Sequence, residues 1–249
     1  MTVQVLVAAM NQLDHSLLEK MNIQSDAIVG NQCDRNSIEE FDWNGHKIRY
    51  LNFAERGVGL NRNNALMRAT GDICLFADDD MRYIDGYAHL IKNAFTEYPD
   101  ADVIVFNITG RSAITKPGRV GYLNYLRYGT ARMAVRLKSI KANGIYFNQC
   151  FGGGTEHSHG EDNLFLTACL NKGLKVYAVP IMMAKLNDDR VSTWDTGNAD
   201  KYLSDQGILY KTISRRWWKL LCLQDAIRRS KSYKLVWYQA YKIMCKGRD

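Results

Sequence analysis

The chain has 249 residues, 46% hydrophobic and 24% charged, enough for one large α/β domain with a full core or for two small domains. No apolar run approaches the ~18 residues of a membrane span, the apolar start lacks the basic flank of a signal peptide, and six scattered cysteines form no C-x-x-C pair, so a cytosolic chain with reduced thiols is expected. The net charge of +7 is unevenly spread: residues 111–141 hold eight Lys/Arg and no acid, residues 211–249 carry +9, and −10 is left for the rest. An acidic core suits a cation, and the two basic segments suit phosphate or an anionic surface.

Residues 3–9 (VQVLVAA) read as a buried, β-branched strand and residues 14–21 as a short helix. A second strand, 26–32, ends in the polar cluster Asn31-Gln32-Cys33-Asp34. A third covers 46–53. Residues 58–69 have a helical face of Leu60, Ala65, Leu66 and Ala69, closed by Gly71. A fourth strand, 72–77 (DICLFA), runs straight into Asp78-Asp79-Asp80. A helix over 85–98 and a strand over 102–108 follow. Strands alternating with helices predict a parallel, Rossmann-like sheet, with ligands bound beyond the carboxyl ends of its strands. The second half reads as a basic, aromatic helix over 120–141, a Gly152-Gly153-Gly154 run, a helix over 161–171, a strand over 175–181, and helices over 198–213 and 215–246.

Three features carry chemistry. Three carboxylates directly after a buried strand are costly unless something positive neutralises them. A hard divalent cation, Mg²⁺ or Mn²⁺, does so, and Asp78 and Asp80 lie on the same side of an extended chain. The plainer alternative is a turn or a helix cap. Glu161-Asp162 opens a helix, where a carboxylate is either a dipole partner or a general base towards an acceptor hydroxyl. The glycine run beside it either admits a ligand close to the backbone or acts as a hinge. RGVGLNRNNAL, residues 56–66, is neither a GxGxxG fingerprint nor a Walker loop; it places Arg62 early in a helix, as a surface residue or as a contact for phosphate or base.

The order of these features resembles a family 2 glycosyltransferase of the kind that assembles bacterial capsule, exopolysaccharide and O-antigen. GLNRNNALMRATGDICLFADDD (59–80) carries the similarity most clearly, and FNQCFGGGTEHSHGEDNLFL (147–166) and VSTW (191–194) extend it. The resemblance implies a GT-A type α/β fold: a Rossmann-like, mostly parallel central sheet, helices on both faces, and C-terminal helices. It implies a catalytic domain over 1–210, with a nucleotide-sugar half (1–110) and an acceptor half (111–210), and a basic aromatic tail over 211–249. The implied reaction is inverting transfer of a sugar from a nucleotide-sugar, taken as a UDP-sugar, to a glycan acceptor.

By the same resemblance Asp34 contacts the base, Arg62 sits near the uracil or diphosphate, Asp78 meets the ribose or nucleotide, Asp80 holds Mn²⁺ or Mg²⁺ together with Asp78, and Asp162 beside Glu161 is the catalytic base. Ala8, Met10, Asp79 and Gly153 complete the nucleotide-sugar contacts. The sequence departs from the family where strand one ends in Ala8-Ala9-Met10-Asn11 rather than Pro-x-Tyr-Asn. It departs again at 183–187, which offers no histidine to the metal: either the metal has few protein ligands or Lys185 assists the diphosphate instead. A nucleotidyltransferase would need a glycine-rich basic loop after strand one, which AAMNQLD lacks. A non-catalytic nucleic-acid-binding module leaves the −10 remainder and the FADDD strand unexplained, so nucleic acid is not expected as a partner. A sugar-binding relative without turnover would share the motifs.

The tail mixes Trp217, Trp218 and Trp237 with many cations. It either packs on the catalytic domain or lies on an anionic membrane surface, aromatics at headgroup level. Glycan acceptors of this family's type are often carried on polyprenyl diphosphate, which places the chain peripherally on the inner face of the cell membrane.

Overall fold

The computed structural model describes residues 1–186 and 199–246; VSTW at 191–194 and Asn187 lie outside them. The first half follows the expected alternation: β1 (Val3–Met10), α1 (Leu17–Lys20), β2 (Asp26–Gln32), β3 (Ser37–Trp43), β4 (His46–Phe53), α2 (Val58–Arg68), β5 (Ile73–Asp78), β6 (Met81–Tyr83), α3 (Tyr87–Glu97) and β7 (Val103–Ile108). β1 pairs in parallel with β2 and β5, and β2 with β4. Side chains on β1 alternate between the two faces, as the pleat requires. Val3, Val5, Val7 and Ala9 join Leu17, Leu18, Tyr87 and Phe95, under α1 and α3. Leu6 joins Ala65, Leu66 and Phe165 on the opposite face.

β3 is an edge strand with no counterpart in the sequence reading. It pairs antiparallel with β4, its side chains alternately half-buried and exposed. Asn44 and Gly45, at φ 50 and 80, form the two-residue hairpin that joins them.

Residues 118–142 correct the expected helix over 120–141. They form β8 (Gly118–Val120), two single 3₁₀ turns (Tyr125–Arg127 and Thr130–Arg132), β9 (Met133–Arg136) and α4 (Leu137–Ala142). β9 inserts antiparallel between β5 and β7 and withdraws Met133, Ala134 and Val135 fully from water. A vacant place between two strands outweighs the weak helical preference of this stretch. Because β9 is antiparallel to both neighbours, β7 runs parallel to β5, and their carboxyl ends share one edge.

α5 (Glu161–Asn171) and β10 (Val176–Leu186) complete the sheet, in the order β3-β4-β2-β1-β5-β9-β7-β10-β6 with β8 on β10. β10 is longer than the strand expected over 175–181, and its pairing with β7 slips between Ala178 and Met182, either side of Pro180. α6 (Ala199–Ile213), α7 (Trp218–Tyr233) and α8 (Trp237–Cys245) gather around Leu203, Tyr210, Cys222, Ala226, Ala240 and Met244. The single helix expected over 215–246 is two, broken at Lys234, which adopts a left-handed conformation at φ 53. Among the described residues no helix is long and apolar enough to cross a membrane.

Candidate active site

α2 buries a polar run, Asn61-Arg62-Asn63, that an amphipathic helix would normally expose. Each member has a partner that justifies its burial. The Asn61 amide donates to the Gly30 carbonyl at 2.8 Å and locks α2 to β2. Asn63 exchanges two hydrogen bonds with the backbone of Phe147, at 2.9 and 2.8 Å. Held between them, Arg62 is only 4% exposed. Its Nη2 donates to Asp78 Oδ1 at 2.7 Å and its Nη1 to Glu161 Oε1 at 2.8 Å. Burial alone would disfavour the charged guanidinium, but the two carboxylates overcome it and hold Arg62 above its ordinary pKa. One arginine thus joins the end of β5 to the start of α5.

Glu161 is enclosed by Gly152, which sits at φ 102; a Cβ there would come within 2.7 Å of Glu161 Oε2. Only glycine fits both the conformation and the space. The next residue, Asp162, is half-buried, accepts the Asn163 amide at 2.7 Å, and faces Gly129, where a Cβ would lie 3.3 Å from its Oδ2. Burial, then the neighbouring Glu161 charge, push the Asp162 carboxyl up to about 7, against the pull of Arg62. A carboxylate poised near neutrality is suited to accept a proton.

The acidic turn lies at the carboxyl edge of the sheet. Asp78 ends β5 in register with Ala8 on β1. Asp79 accepts from the Met10 amide and from Gln12 Nε2, both at 3.3 Å. Asp80 follows in the turn before β6. Beyond β2, the Asp34 side chain is 96% exposed and pairs with Arg56 at 2.9 Å. Ala8 is buried and Met10 exposed at the end of β1. Gly153 accepts the Val58 amide at 2.9 Å, which sets the glycine run against the start of α2. The sequence-derived positions therefore gather along one edge, with Asp162 linked to the acidic turn through Glu161 and Arg62.

Among the described residues no three His, Cys, Asp or Glu side chains form a ready metal cage. The donor set fits a hard ion of the Mg²⁺ or Mn²⁺ type, which needs one or two carboxylates and takes its other ligands from substrate phosphates and water.

Sequence reasoning missed the roles of Asn61 and Asn63, although a polar run inside a helix is itself a signal of buried partners, and it singled out the glycine run without the packing of Gly152 on Glu161. It also missed Asp205 on α6, which accepts from the Ser158 amide and hydroxyl, both at 3.0 Å, and from Lys201 at 2.9 Å, with His157 at 3.3 Å. This buried carboxylate clips α6 to the loop that leads into Glu161. No local pattern announces it.

Residues 31–151, which hold α2 and the acidic turn and end just before the glycine run, match the model of glycosyl transferase family 2. Over these residues the chain is similar to the family 2 glycosyltransferases. Among solved structures, residues 1–349 of S. aureus TarS in complex with UDP-GlcNAc superpose with TM-score 0.62 at 17% identity, covering 84% of this chain and 66% of that one. A second structure of S. aureus TarS 1–349 gives TM-score 0.62 at 14% identity, covering 100% of this chain and 92% of that one. Full TarS is spanned over 55% of its length. At these identities the likeness shows the fold, the GT-A arrangement of a mostly parallel sheet with helices on both faces. No curated protein sequence matches the chain. Arg62 lies within the matched residues, whereas Asp162, at the start of the helix that follows the glycine run, lies beyond them.

Proposed function

We propose that this chain transfers a sugar, with inversion, from a UDP-sugar to a hydroxyl of a glycan acceptor in the synthesis of a bacterial surface polysaccharide. The observation that carries the reading is the Asp78–Arg62–Glu161 bridge, which ties the acidic turn to the helix start that presents Asp162. The S. aureus TarS structures with UDP-GlcNAc and with UDP support a uridine nucleotide.

In this reading Ala8, Met10 and Asp34 receive the nucleotide base. Asp78, Asp79 and Gly153 flank the ribose and diphosphate. Asp80, with Asp78, would hold Mn²⁺ or Mg²⁺. When bound, the cation neutralises charge on the leaving diphosphate. Asp162 takes the proton of the acceptor hydroxyl as its oxygen bonds to the anomeric carbon. The bond from that carbon to the diphosphate breaks on the opposite face, and the electron pair leaves with UDP. Glu161 keeps Arg62 in place and Arg62 keeps Asp162 from rising further.

The reading extends to the membrane surface. Arg215, Arg216, Trp217, Lys219 and Leu220 at the start of α7, and Val236, Trp237 and Tyr238 at the start of α8, are all exposed. Aromatics beside exposed cations suit the headgroup layer of an anionic bilayer, and an acceptor on polyprenyl diphosphate would be found there.

The test is UDP release from a panel of UDP-sugars. At least one should yield UDP with Mn²⁺ or Mg²⁺, stop with EDTA, and give a product of opposite anomeric configuration. Pyrophosphate formation from UTP and a sugar phosphate would instead favour the nucleotidyltransferase.

A further inference from the structure

Segment 111–141 holds eight cations and no acid, and three of its arginines, Arg111, Arg127 and Arg132, feel one another's charge in the segment that faces Asp162 through Gly129. Arg111 lies just past the carboxyl end of β7, at the edge shared with β5. Arg132, 3% exposed, enters β9 from the same edge. Its Nε donates to the Phe106 carbonyl at 2.8 Å and its Nη1 to the Ser112 carbonyl at 3.1 Å, next to Arg111. Arg127 and Arg132 both pack on the ring of Tyr128, 5.0 and 5.4 Å from its centre, and Arg127 donates to its hydroxyl at 2.8 Å.

Like charges so grouped repel. Among the described residues none of the three pairs with a carboxylate. Burial first, then the charges of Arg111 and Arg127, hold Arg132 below its ordinary pKa. Two buried polar atoms in the same 3₁₀ turn, Thr130 Oγ1 and Arg132 Nη2, have no hydrogen-bond partner among the described residues. Such atoms are rare in a folded protein and mark a place where a partner is missing. Gly129 opens this turn and sets it against Asp162.

We propose that Arg111, Arg127 and Arg132 form an acceptor-side anion subsite that takes a phosphate group, diphosphate or phosphodiester, carried by the acceptor close to the hydroxyl that reacts. The exposed Arg111 and Arg127 make the contacts, and Arg132 supplies charge from beneath. Guanidinium groups match phosphate oxygens in geometry as well as charge. The acceptor side follows from position: the cluster lies between the end of β7 and the start of β9, in the segment that faces Asp162, whereas the positions given to the base, Ala8, Met10 and Asp34, lie on β1 and just past β2. The inference rests on the reading of Asp162 as the base.

The test uses the full chain and two probes, farnesyl diphosphate and a short glycerol-phosphate oligomer, titrated calorimetrically with and without saturating UDP. One probe should bind the UDP-saturated protein, and which one identifies the source of the phosphate. The double variant Arg111→Ala/Arg127→Ala, both surface changes, should weaken that probe by roughly ten-fold or more, with UDP affinity and Tm unchanged. The subsite is overturned if neither probe binds, if the double variant binds equally well, or if UDP displaces the probe. A wild type that takes the probe but not UDP sinks the donor reading and leaves the subsite standing.

Discussion

Arg62 and Glu161, 99 positions apart in the chain, meet at 2.8 Å with both side chains nearly withdrawn from water. Removing one partner of such a pair leaves a charge buried without compensation. Arg62→Ala should therefore cost roughly 3–5 kcal/mol of stability. Arg62→Lys should not rescue it, because one ammonium does not replace a fork that reaches two carboxylates. Chemical denaturation of the three proteins checks this; a loss below ~1 kcal/mol in Arg62→Ala would mean that the bridge does not hold the site together.

Asp162 gives stability and activity opposite responses to pH. Folding raises its carboxyl from an ordinary 3.8 to about 7, through burial and the Glu161 charge. Stability from this group is fully present below pH 4 and is lost as pH rises through about 7. A base needs the charged form, so transfer should climb over the same range. Asp162→Asn should be more stable than wild type at pH 8, by roughly 1 kcal/mol, and no more stable at pH 4. Thermal unfolding at the two pH values reads the difference.

Gly152→Ala should lose roughly 1–3 kcal/mol through its backbone conformation alone. The new methyl group would also displace Glu161 from Arg62, so turnover should fall further than stability accounts for. Gly118→Ala, at a position with open space around it, is the matched control and should be silent. Equal turnover in both variants would separate the Glu161 position from catalysis.

The exposed aromatics of α7 and α8 should bind anionic vesicles at low salt and release at high salt, because screening shortens the reach of the basic residues. Trp217→Ser/Trp237→Ser should weaken sedimentation with these vesicles and leave UDP release unchanged. This pair is cleaner than deleting the tail, since α7 and α8 also cover Leu203 and Tyr210 of α6. Equal binding to neutral vesicles, or none to either kind, would leave the tail as ordinary protein surface.

The sheet was legible wherever strands are apolar and continuous, as in β1 and β5. β3 was not, because an edge strand with one solvated face spells SIEEFDW rather than an apolar run; the Asn44-Gly45 turn was the available signal. β9 was illegible for a different reason, since only the gap between β5 and β7 makes Met133–Arg136 a strand. The acidic turn and Glu161-Asp162 stood out as carboxylates at element ends. Their connection through Arg62 did not, because sequence spacing carries no information on a contact made across 99 positions.

Asp162→Asn, assayed with a UDP-sugar and either Mn²⁺ or Mg²⁺, tests the proposed transfer most directly. The amide keeps the shape of the side chain and removes only its ability to accept a proton. UDP binding should be unchanged by calorimetry, and UDP release to acceptor should fall roughly 10²–10⁴-fold. A variant that binds UDP and still turns over at the wild-type rate would contradict Asp162 as the base.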